Sequence, residues 1–177
     1  MQALVAVDRN WAIGRGGGML FHLPADLKYF AAATRGKLLV MGRSTLLSLP
    51  GSKPLKNRQN IILSRDQDCL VPQALVVHSL SELEAALAPY APDEVMLIGG
   101  QQVYALLIDC CSKAFVTKIE AAAPADCYFP NLDVRPNWEL QEQSPVYEDN
   151  GLHYTHCTYI NHLALAITEN RIGGKET

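Results

Sequence analysis

The sequence predicts an α/β fold with a mostly parallel central sheet and helices on both faces. Short apolar runs recur along the chain, and they are continuous rather than alternating, as is typical of strands buried on both faces. Helical patterns lie between several of these runs, which favours parallel strands joined by right-handed crossovers. In the last third, two strand-like runs flank an Asp-Asn-Gly turn signal and predict an antiparallel hairpin that closes the sheet edge.

The elements follow in order along the chain. The predicted strands are QALVAVD at 2–8, KLLVMG at 37–42, QNIILS at 59–64, ALVVHS at 74–79, EVMLIGG at 94–100 and AFVTKIE at 114–120. The predicted helices are PADLKYFAAAT at 24–34, RSTLLSL at 43–49, SLSELEAALAPY at 79–90 and QQVYALLID at 101–109. The hairpin pairs WELQEQS at 138–144 with GLHYTHCTYI at 151–160 through the linker PVYEDNG.

The end of the chain differs from the rest, so we divide it into one domain over 1–162 and a tail over 163–177. The LALAIT portion of the tail could add a turn of helix. The polar, Gly-rich NRIGGKET portion is expected to be disordered.

Composition and charge indicate an ordinary globular protein. The 177 residues are 49% hydrophobic and 19% charged, which suits one domain with a substantial core. The formal net charge is −3 and no basic stripe stands out, so we expect no nucleic-acid partner. No run reaches the ~18 apolar residues of a membrane span, and the N-terminal residues lack the basic segment of a signal peptide. We therefore expect no membrane association.

Cysteine and histidine spacing predicts neither a disulfide framework nor a metal site. The five cysteines are odd in number, form no CxxC pair and fit the reduced thiols of a cytoplasmic protein; they are Cys69, Cys110, Cys111, Cys127 and Cys157. The five histidines show no ligand spacing.

Asp26 is the first candidate catalytic residue. It lies within FHLPADLKYF at 21–30, where Pro24 is expected to begin a helix. Leu23 and Phe30 share its helix face, so the carboxylate belongs to an otherwise apolar surface. The helix dipole alone would favour an acid at the third helical position. The dipole does not explain the apolar surroundings, where a carboxylate either pairs with a ligand or has a raised pKa.

Two glycine clusters are candidates for binding phosphate. IGGQQVY at 98–104 follows an apolar strand and opens a helix, so its backbone N–H groups could hold a pyrophosphate. The alternative is an ordinary strand-to-helix turn. GRGGG at 14–18 lacks the GxGxxG spacing and predicts a flexible loop suited to a moving lid.

Arg43 and Arg65 each follow a predicted strand, and Arg65 comes directly after Ser64. In a parallel sheet all three lie at the carboxyl edge, where open α/β sheets bind ligands. Two guanidinium groups and a hydroxyl suit a phosphate monoester such as the 2′-phosphate of NADP. Taken singly, each arginine is better explained as a solvated charge.

Together these segments resemble one family, dihydrofolate reductase. The landmarks stand in order between residues 4 and 159: AIGRGGGML, LPADLKYF, MGRST, RQNIILSR, IGGQQVY, TKIE and DCYFP. The resemblance implies an eight-stranded sheet and NADPH-dependent reduction of 7,8-dihydrofolate to 5,6,7,8-tetrahydrofolate. The oligomeric state stays open, with a monomer as the default expectation. Hydride transfer to C6 would accompany protonation of N5, with water as the immediate acid. Antifolates such as trimethoprim and methotrexate are implied as inhibitors.

The resemblance also implies site residues. Asp26 would bind N3 and the 2-amino group of the pterin, Thr117 would hydrogen-bond Asp26, and Arg58 would hold the glutamate α-carboxylate of the substrate. The pocket walls would be Leu4, Val5, Ala6, Leu27, Phe30, Leu49, Leu55 and Ile98. The residues implied to bind NADPH are Ala6, Gly42, Arg43, Ser44, Thr45, Leu63, Ser64, Arg65, Gly99, Gly100, Gln101, Gln102, Val103 and Tyr104. The resemblance also implies a cis peptide bond between Gly99 and Gly100. Ile13, Gly14 and Met19 would belong to a loop that closes over the nicotinamide.

Some positions depart from the family pattern. Phe21 stands where the family usually has Trp, so the indole N–H that orders a water near the pterin is missing. Leu20 stands where the family usually has Pro. We expect weaker ordering of that water and an altered response to antifolates, including insensitivity. Gln102 replaces a basic residue of many relatives, which shifts cofactor binding towards Arg43 and Arg65.

Other functions remain open alternatives. A related pterin or pyrimidine reductase, such as the riboflavin-pathway reductase domain, shares the sheet and the NADPH site but has no reason to keep LPADL together with Arg58. A non-catalytic NADPH- or folate-binding protein is favoured only by Phe21.

Overall fold

The computed structural model describes residues 1–167, and the predicted strands and helices are all found in it. The strands are β1 Gln2–Val7, β2 Ala12–Arg15, β3 Gly18–Met19, β4 Leu38–Gly42, β5 Gln59–Leu63, β6 Leu75–Val77, β7 Val95–Gly99, β8 Lys113–Ile119, β9 Cys127–Tyr128, β10 Trp138–Gln143, β11 Tyr147–Asp149 and β12 Leu152–Asn161. The helices are α1 Pro24–Thr34, α2 Arg43–Ser48, α3 Leu80–Leu87 and α4 Gln101–Leu107.

The main sheet has the strand order β10-β12-β8-β1-β7-β4-β5-β6, with β11 paired to β12. The pairs from β8 through β6 are parallel, whereas β12 is antiparallel to β8, β10 and β11. The predicted mixed sheet with its C-terminal antiparallel hairpin is therefore confirmed. Because β4, β5, β6 and β7 are parallel, their carboxyl ends meet at one edge.

The central strands are buried on both faces, which explains their continuous apolar runs. All five residues of β4 and of β7 are buried. One core face is built around Val40, Leu97 and Leu107, and the opposite face around Leu39, Met41 and Met96. The sheet thus forms a rigid support on which the loops at its carboxyl edge are held.

Two segments are more regular than the sequence predicts. Residues 14–18, expected to form a flexible loop, belong to a small hairpin of β2 and β3, which turns at Gly16 and Gly17 with φ values of +59° and +82°. The linker before the last strand contains β11, so the Asp-Asn-Gly turn joins β11 to β12. Glycine and short polar runs gave no apolar periodicity from which either strand could be predicted.

The beginning of the predicted tail packs on the domain. Residues 163–167 form no helix, so the predicted helical turn is wrong for this portion. The Leu165 N–H donates to the Asp109 carbonyl at 2.8 Å, and Ile167 packs against the core. The expectation of disorder over NRIGGKET lies outside the described residues. Within residues 1–167 no helix is long and apolar enough to cross a membrane.

Candidate active site

The Asp26 carboxylate lies in the first turn of α1, where Pro24 begins the helix as predicted. Oγ1 of Thr117, on β8, donates to Oδ1 of Asp26 at 2.6 Å. Burial raises the pKa of Asp26, while the Thr117 hydrogen bond and the nearby His156 oppose the rise. Thr117 is the one side chain within residues 1–167 that donates to this carboxylate, so Oδ2 remains free to accept a ligand hydrogen bond.

Most of the predicted pocket walls form one apolar surface beside α1. A single cluster contains Leu4, Phe30, Leu49, Leu55 and Ile98, which come from five different segments of the chain. Ala6 and Phe21 pack in a neighbouring cluster with Leu23, the residue that precedes α1. Leu27, also on α1, is 37% exposed.

Val5 lies apart from this wall. Its side chain packs into the core on the opposite face of the sheet, because neighbouring residues of β1 alternate between the two faces. Leu4 faces the wall with its side chain, and its carbonyl accepts a 2.7 Å hydrogen bond from the buried Tyr104 hydroxyl. Of this pair, only Leu4 presents its side chain to the candidate pocket.

Arg58 is anchored by three hydrogen bonds, two of which go to the end of α1. Nε donates to Oγ1 of Thr34 at 2.8 Å, Nη1 to the Lys56 carbonyl at 2.8 Å and Nη2 to the Ala31 carbonyl at 3.0 Å. Each terminal nitrogen keeps a second N–H, and these two can donate side by side to a carboxylate. Partial burial, together with the charge of Arg35, lowers the pKa of Arg58 from its ordinary value.

A cavity of about 640 Å³ opens at the carboxyl edge of β4, β5 and β6. Arg43, Ser64 and Arg65 line it together, as the parallel sheet predicts. Its other lining residues are Gly42, Ser44, Leu63, Asp66, His78, Ser79, Leu80, Gly100, Gln102, Val103 and Leu106. Nη1 of Arg43 is paired with Oδ2 of Asp66 at 2.6 Å.

Glycines let the backbone approach closely at one side of this cavity. A Cβ atom at Gly42 would lie 2.9 Å from Cγ2 of Val103, and one at Gly99 would lie 2.8 Å from the Tyr104 ring. The Gly99–Gly100 bond is cis. Thr45 packs against Gly100, since a Cβ there would lie 3.2 Å from its Oγ1. The absence of side chains at Gly42, Gly99 and Gly100 therefore lets Val103, Tyr104 and Thr45 pack directly against this turn.

The remaining predicted cofactor residues occupy the small sheet or point towards it. Gly14 pairs with Met19 across β2 and β3, and Met19 is 65% exposed. Ile13 packs against the main core. Oε1 of Gln101 accepts from the Tyr128 N–H at 2.6 Å, so this side chain ties α4 to β9.

Comparison with known proteins identifies the family. The family model described as dihydrofolate reductase matches residues 1–161. The chain belongs to the dihydrofolate reductase family. It is 35% identical over 159 residues to the dihydrofolate reductase of Neisseria gonorrhoeae, covering 89% of this chain and 95% of that one.

Further relatives agree with this assignment. The Bacillus subtilis dihydrofolate reductase is 34% identical over 158 residues, covering 88% of this chain and 91% of the relative. Dihydrofolate reductase type 3 of Salmonella typhimurium is 35% identical over 158 residues, covering 89% of this chain and 93% of the relative. A solved structure of the Enterococcus faecalis dihydrofolate reductase, complexed with NADP(H) and RAB-propyl, has a TM-score of 0.81 at 33% identity. That match covers 90% of this chain and 95% of the other.

Two residues of this dihydrofolate reductase family member were not predicted to belong to the site. His78 follows β6 at the same sheet edge as Arg43 and Arg65, so the rule that pointed to the arginines would also have pointed to it. His156 lies on β12, and its Nδ1 is 3.0 Å from Oγ1 of Thr117. No local sequence signal could have placed it there, because the contact depends on the β8–β12 register.

Within residues 1–167, no group of three or more His, Cys, Asp or Glu side chains is arranged to hold a metal ion. Residues 1–167 contain no disulfide bond.

Proposed function

We propose that the chain carries out the reaction of its family, NADPH-dependent reduction of 7,8-dihydrofolate to 5,6,7,8-tetrahydrofolate, with Asp26 holding the pterin ring. The observation that carries this proposal is the half-buried carboxylate at the start of α1. It lies beside an apolar surface and has only one hydrogen-bond donor within the described chain. A buried carboxylate in that situation is stabilised when a ligand supplies further N–H donors.

Asp26 can bind the pterin through both oxygens. Oδ1 accepts from Thr117 and has a second lone-pair site, while Oδ2 has both sites free. N3–H and the 2-amino group of the pterin are parallel donors of the kind that a carboxylate accepts in pairs. The apolar side chains Leu4, Phe30 and Ile98 would then contact the ring and the aminobenzoyl group. Thr117 fixes the carboxylate in the orientation that this pairing requires.

Arg58 would hold the other end of the substrate. Its three anchoring bonds to Thr34, Lys56 and Ala31 fix the guanidinium, so little side-chain freedom is lost when a carboxylate binds. Its two remaining N–H groups match the glutamate α-carboxylate. A substrate held at both Asp26 and Arg58 lies along α1 in one direction only.

The cavity at the carboxyl edge of β4, β5 and β6 fits the phosphate groups of NADPH. Arg43, Ser64 and Arg65 supply positive charge and a hydroxyl for the 2′-phosphate. The backbone N–H groups of the Gly99–Gly100 turn, at the start of α4, would bind the pyrophosphate. When bound, NADPH supplies the hydride that reduces C6.

The protein residues orient the reactants and control the proton. Asp26 holds the ring and sets its electronic state, while water delivers the proton to N5. The apolar wall excludes bulk water from the face that receives the hydride. Ile13, Gly14 and Met19, on the small hairpin, would cover the nicotinamide.

The test is NADPH oxidation, followed by absorbance, with dihydrofolate as substrate. Turnover that depends on both compounds supports the proposal. Tight NADPH binding without turnover of dihydrofolate would contradict it; a panel of other pterins and pyrimidines would then separate a related reductase from a non-catalytic binding protein.

Phe21 raises the further proposal that the enzyme is an antifolate-insensitive variant. Phe21 packs beside Ala6 and Leu23 near Asp26, where it offers no N–H to an ordered water. Phe21→Trp is expected to change the pH–rate profile and to tighten trimethoprim and methotrexate. Unchanged inhibitor binding and an unchanged profile would contradict this role.

We also propose that the enzyme acts as a cytoplasmic monomer. The absence of a disulfide bond within residues 1–167 suits a reducing compartment. Sedimentation of the purified protein at about 19.4 kDa would support the monomer, and a mass of twice that value would contradict it.

A further inference from the structure

His156 is connected to Asp26 through one hydroxyl group. Oγ1 of Thr117 lies 2.6 Å from Oδ1 of Asp26 and 3.0 Å from Nδ1 of His156. Thr117 and His156 are directly opposed across the antiparallel β8–β12 pair, so the contact is built into the sheet. The three polar groups form a chain from α1 through β8 to β12.

The direction of this chain follows from the number of protons available. A threonine hydroxyl has a single proton, and an ionised carboxylate can only accept. When Asp26 is ionised, Thr117 donates to it and can only accept from His156. Nδ1 of His156 must then carry a proton. If Asp26 were protonated and donated to Thr117, the hydroxyl would donate to an unprotonated Nδ1. Both hydrogen bonds would then have the opposite direction.

The His156 ring is held in place by aromatic neighbours. The ring centroids of Tyr29, Tyr154 and Tyr147 lie 4.3, 5.3 and 5.9 Å from it. Its backbone N–H donates to Oγ of Ser144 at 2.9 Å. A ring fixed on several sides keeps Nδ1 directed at Thr117 rather than at solvent.

We propose that His156 is a positioning residue of the active site: it donates Nδ1–H to Thr117 and so directs the Thr117 hydroxyl proton at Asp26. Any effect of His156 on catalysis rests on the proposed function, in which Asp26 binds the pterin. The hydrogen-bond chain itself is a property of the free protein. In the absence of the His156 donor, the hydroxyl can rotate to other acceptors, and the ionised form of Asp26 loses part of its stabilisation.

The charged and titratable groups around His156 agree with this direction. Asp26 and Tyr29 face it from α1, Tyr147 from β11 and Tyr154 from β12, with Asp149 beyond Tyr154. Burial lowers the pKa of His156 and the Asp26 charge opposes this, so near neutral pH the ring can act as a neutral Nδ1–H donor.

Two variants separate donation from packing. His156→Phe keeps an aromatic ring among the three tyrosines but has no donor. His156→Asn loses the ring but retains an amide N–H close to the position of Nδ1. The measurement is the titration of the Asp26 carboxyl carbon by ¹³C NMR in the free protein, with the signal assigned by its loss in Asp26→Asn.

We expect His156→Phe to reduce the acid dissociation constant of Asp26 roughly threefold or more, and His156→Asn to remain near wild type. A packing role predicts the opposite order, with Phe tolerated and Asn disruptive. An unchanged constant in His156→Phe, or equal shifts in the two variants, would overturn the proposal.

The tautomer of His156 in the wild-type protein provides a second test, which does not depend on the folding of any variant. ¹⁵N NMR of the histidine rings above the titration of Asp26 should show His156 protonated at Nδ1. A ring protonated only at Nε2 would overturn the proposal. Both NMR measurements use the free protein. Failure of dihydrofolate turnover would therefore contradict the proposed function without deciding whether His156 orients Thr117.

Discussion

Nε of Arg58 donates a 2.8 Å hydrogen bond to Oγ1 of Thr34, the last residue of α1. Asp26 lies in the first turn of the same helix, eight residues earlier. At about 1.5 Å per residue, α1 separates the two positions by roughly 12 Å along its axis. One short helix therefore sets the spacing between the two proposed substrate anchors, the carboxylate for the pterin and the guanidinium for the glutamate.

This relationship predicts the effect of Thr34→Val. Valine keeps the shape of Thr34 but cannot accept from Arg58, so the guanidinium loses one of three anchors. We expect the KM for dihydrofolate to rise about threefold to tenfold with little change in kcat, because a bond to a charged group is weakened away from the reacting atoms. Thr34→Ser keeps the hydroxyl and is the matched control. Equal effects of Val and Ser, or a loss confined to kcat, would contradict the anchoring role.

Asp66 is expected to weaken NADPH binding, because it pairs with Arg43 at 2.6 Å at the edge of the cavity. Asp66→Asn retains an oxygen that can accept from the Asp68 N–H but releases the guanidinium. An exposed pair of this kind is worth at most about 1 kcal/mol, so the KM for NADPH should fall by no more than about fivefold. The change should shrink at high salt and be absent for NADH, which lacks the 2′-phosphate. Asp68→Asn removes a nearby charge without an Arg43 contact; the same gain in that variant would argue against the proposed pair.

The buried position of Asp26 is expected to reduce stability at neutral pH. Burial raises its folded-state pKa above the ordinary 3.8, so the unfolded chain ionises at lower pH than the folded one. The folded state is therefore favoured below pH 3.8 and loses that advantage as the pH rises through the folded pKa.

Asp26→Asn should consequently be more stable than wild type at pH 7, by about 1.4 kcal/mol for each unit of the raised pKa. The difference should vanish as the pH approaches 3.8. Urea unfolding between pH 4 and pH 8 measures it, with Asp68→Asn as a control for loss of one exposed charge. A stability difference that is independent of pH would show that Asp26 is not destabilised by burial.

Gly42 is expected to be required for packing against α4. A Cβ at this position would lie 2.9 Å from Cγ2 of Val103, although the backbone φ of −85° is ordinary for any residue. Gly42→Ala should therefore cost about 1–3 kcal/mol of unfolding free energy through overpacking. In a Val103→Ala background the added methyl group has space, and the cost should largely disappear. An equal cost in both backgrounds would exclude this contact as the cause.

Much of the fold could be predicted because buried parallel strands carry an unmistakable pattern. LLVMG and VMLIG are apolar throughout, since both faces of β4 and β7 are covered. The meeting of Arg43, Ser64 and Arg65 could be predicted as well, because parallel strands bring their carboxyl ends to one edge. His78 obeys the same rule, because it directly follows the parallel strand β6 and lines the same cavity.

The contacts that tune the site could not be predicted in this way. The bonds from Arg58 to α1, from Arg43 to Asp66 and from His156 to Thr117 depend on loop geometry and strand register. A shift of one residue in β12 would turn His156 to the other face of the sheet. The sequence did not predict the short strands β2, β3, β9 and β11, because two to four residues are too few to display a period.

We propose that Asp26 orients dihydrofolate for hydride transfer from NADPH. The most direct test is a single-turnover measurement of hydride transfer at pH 7, with wild type and Asp26→Asn each saturated with both compounds. We predict rapid transfer by wild type and a loss of about a hundredfold or more in the variant, with NADPH affinity unchanged. Equal transfer rates in the two proteins would contradict the claim.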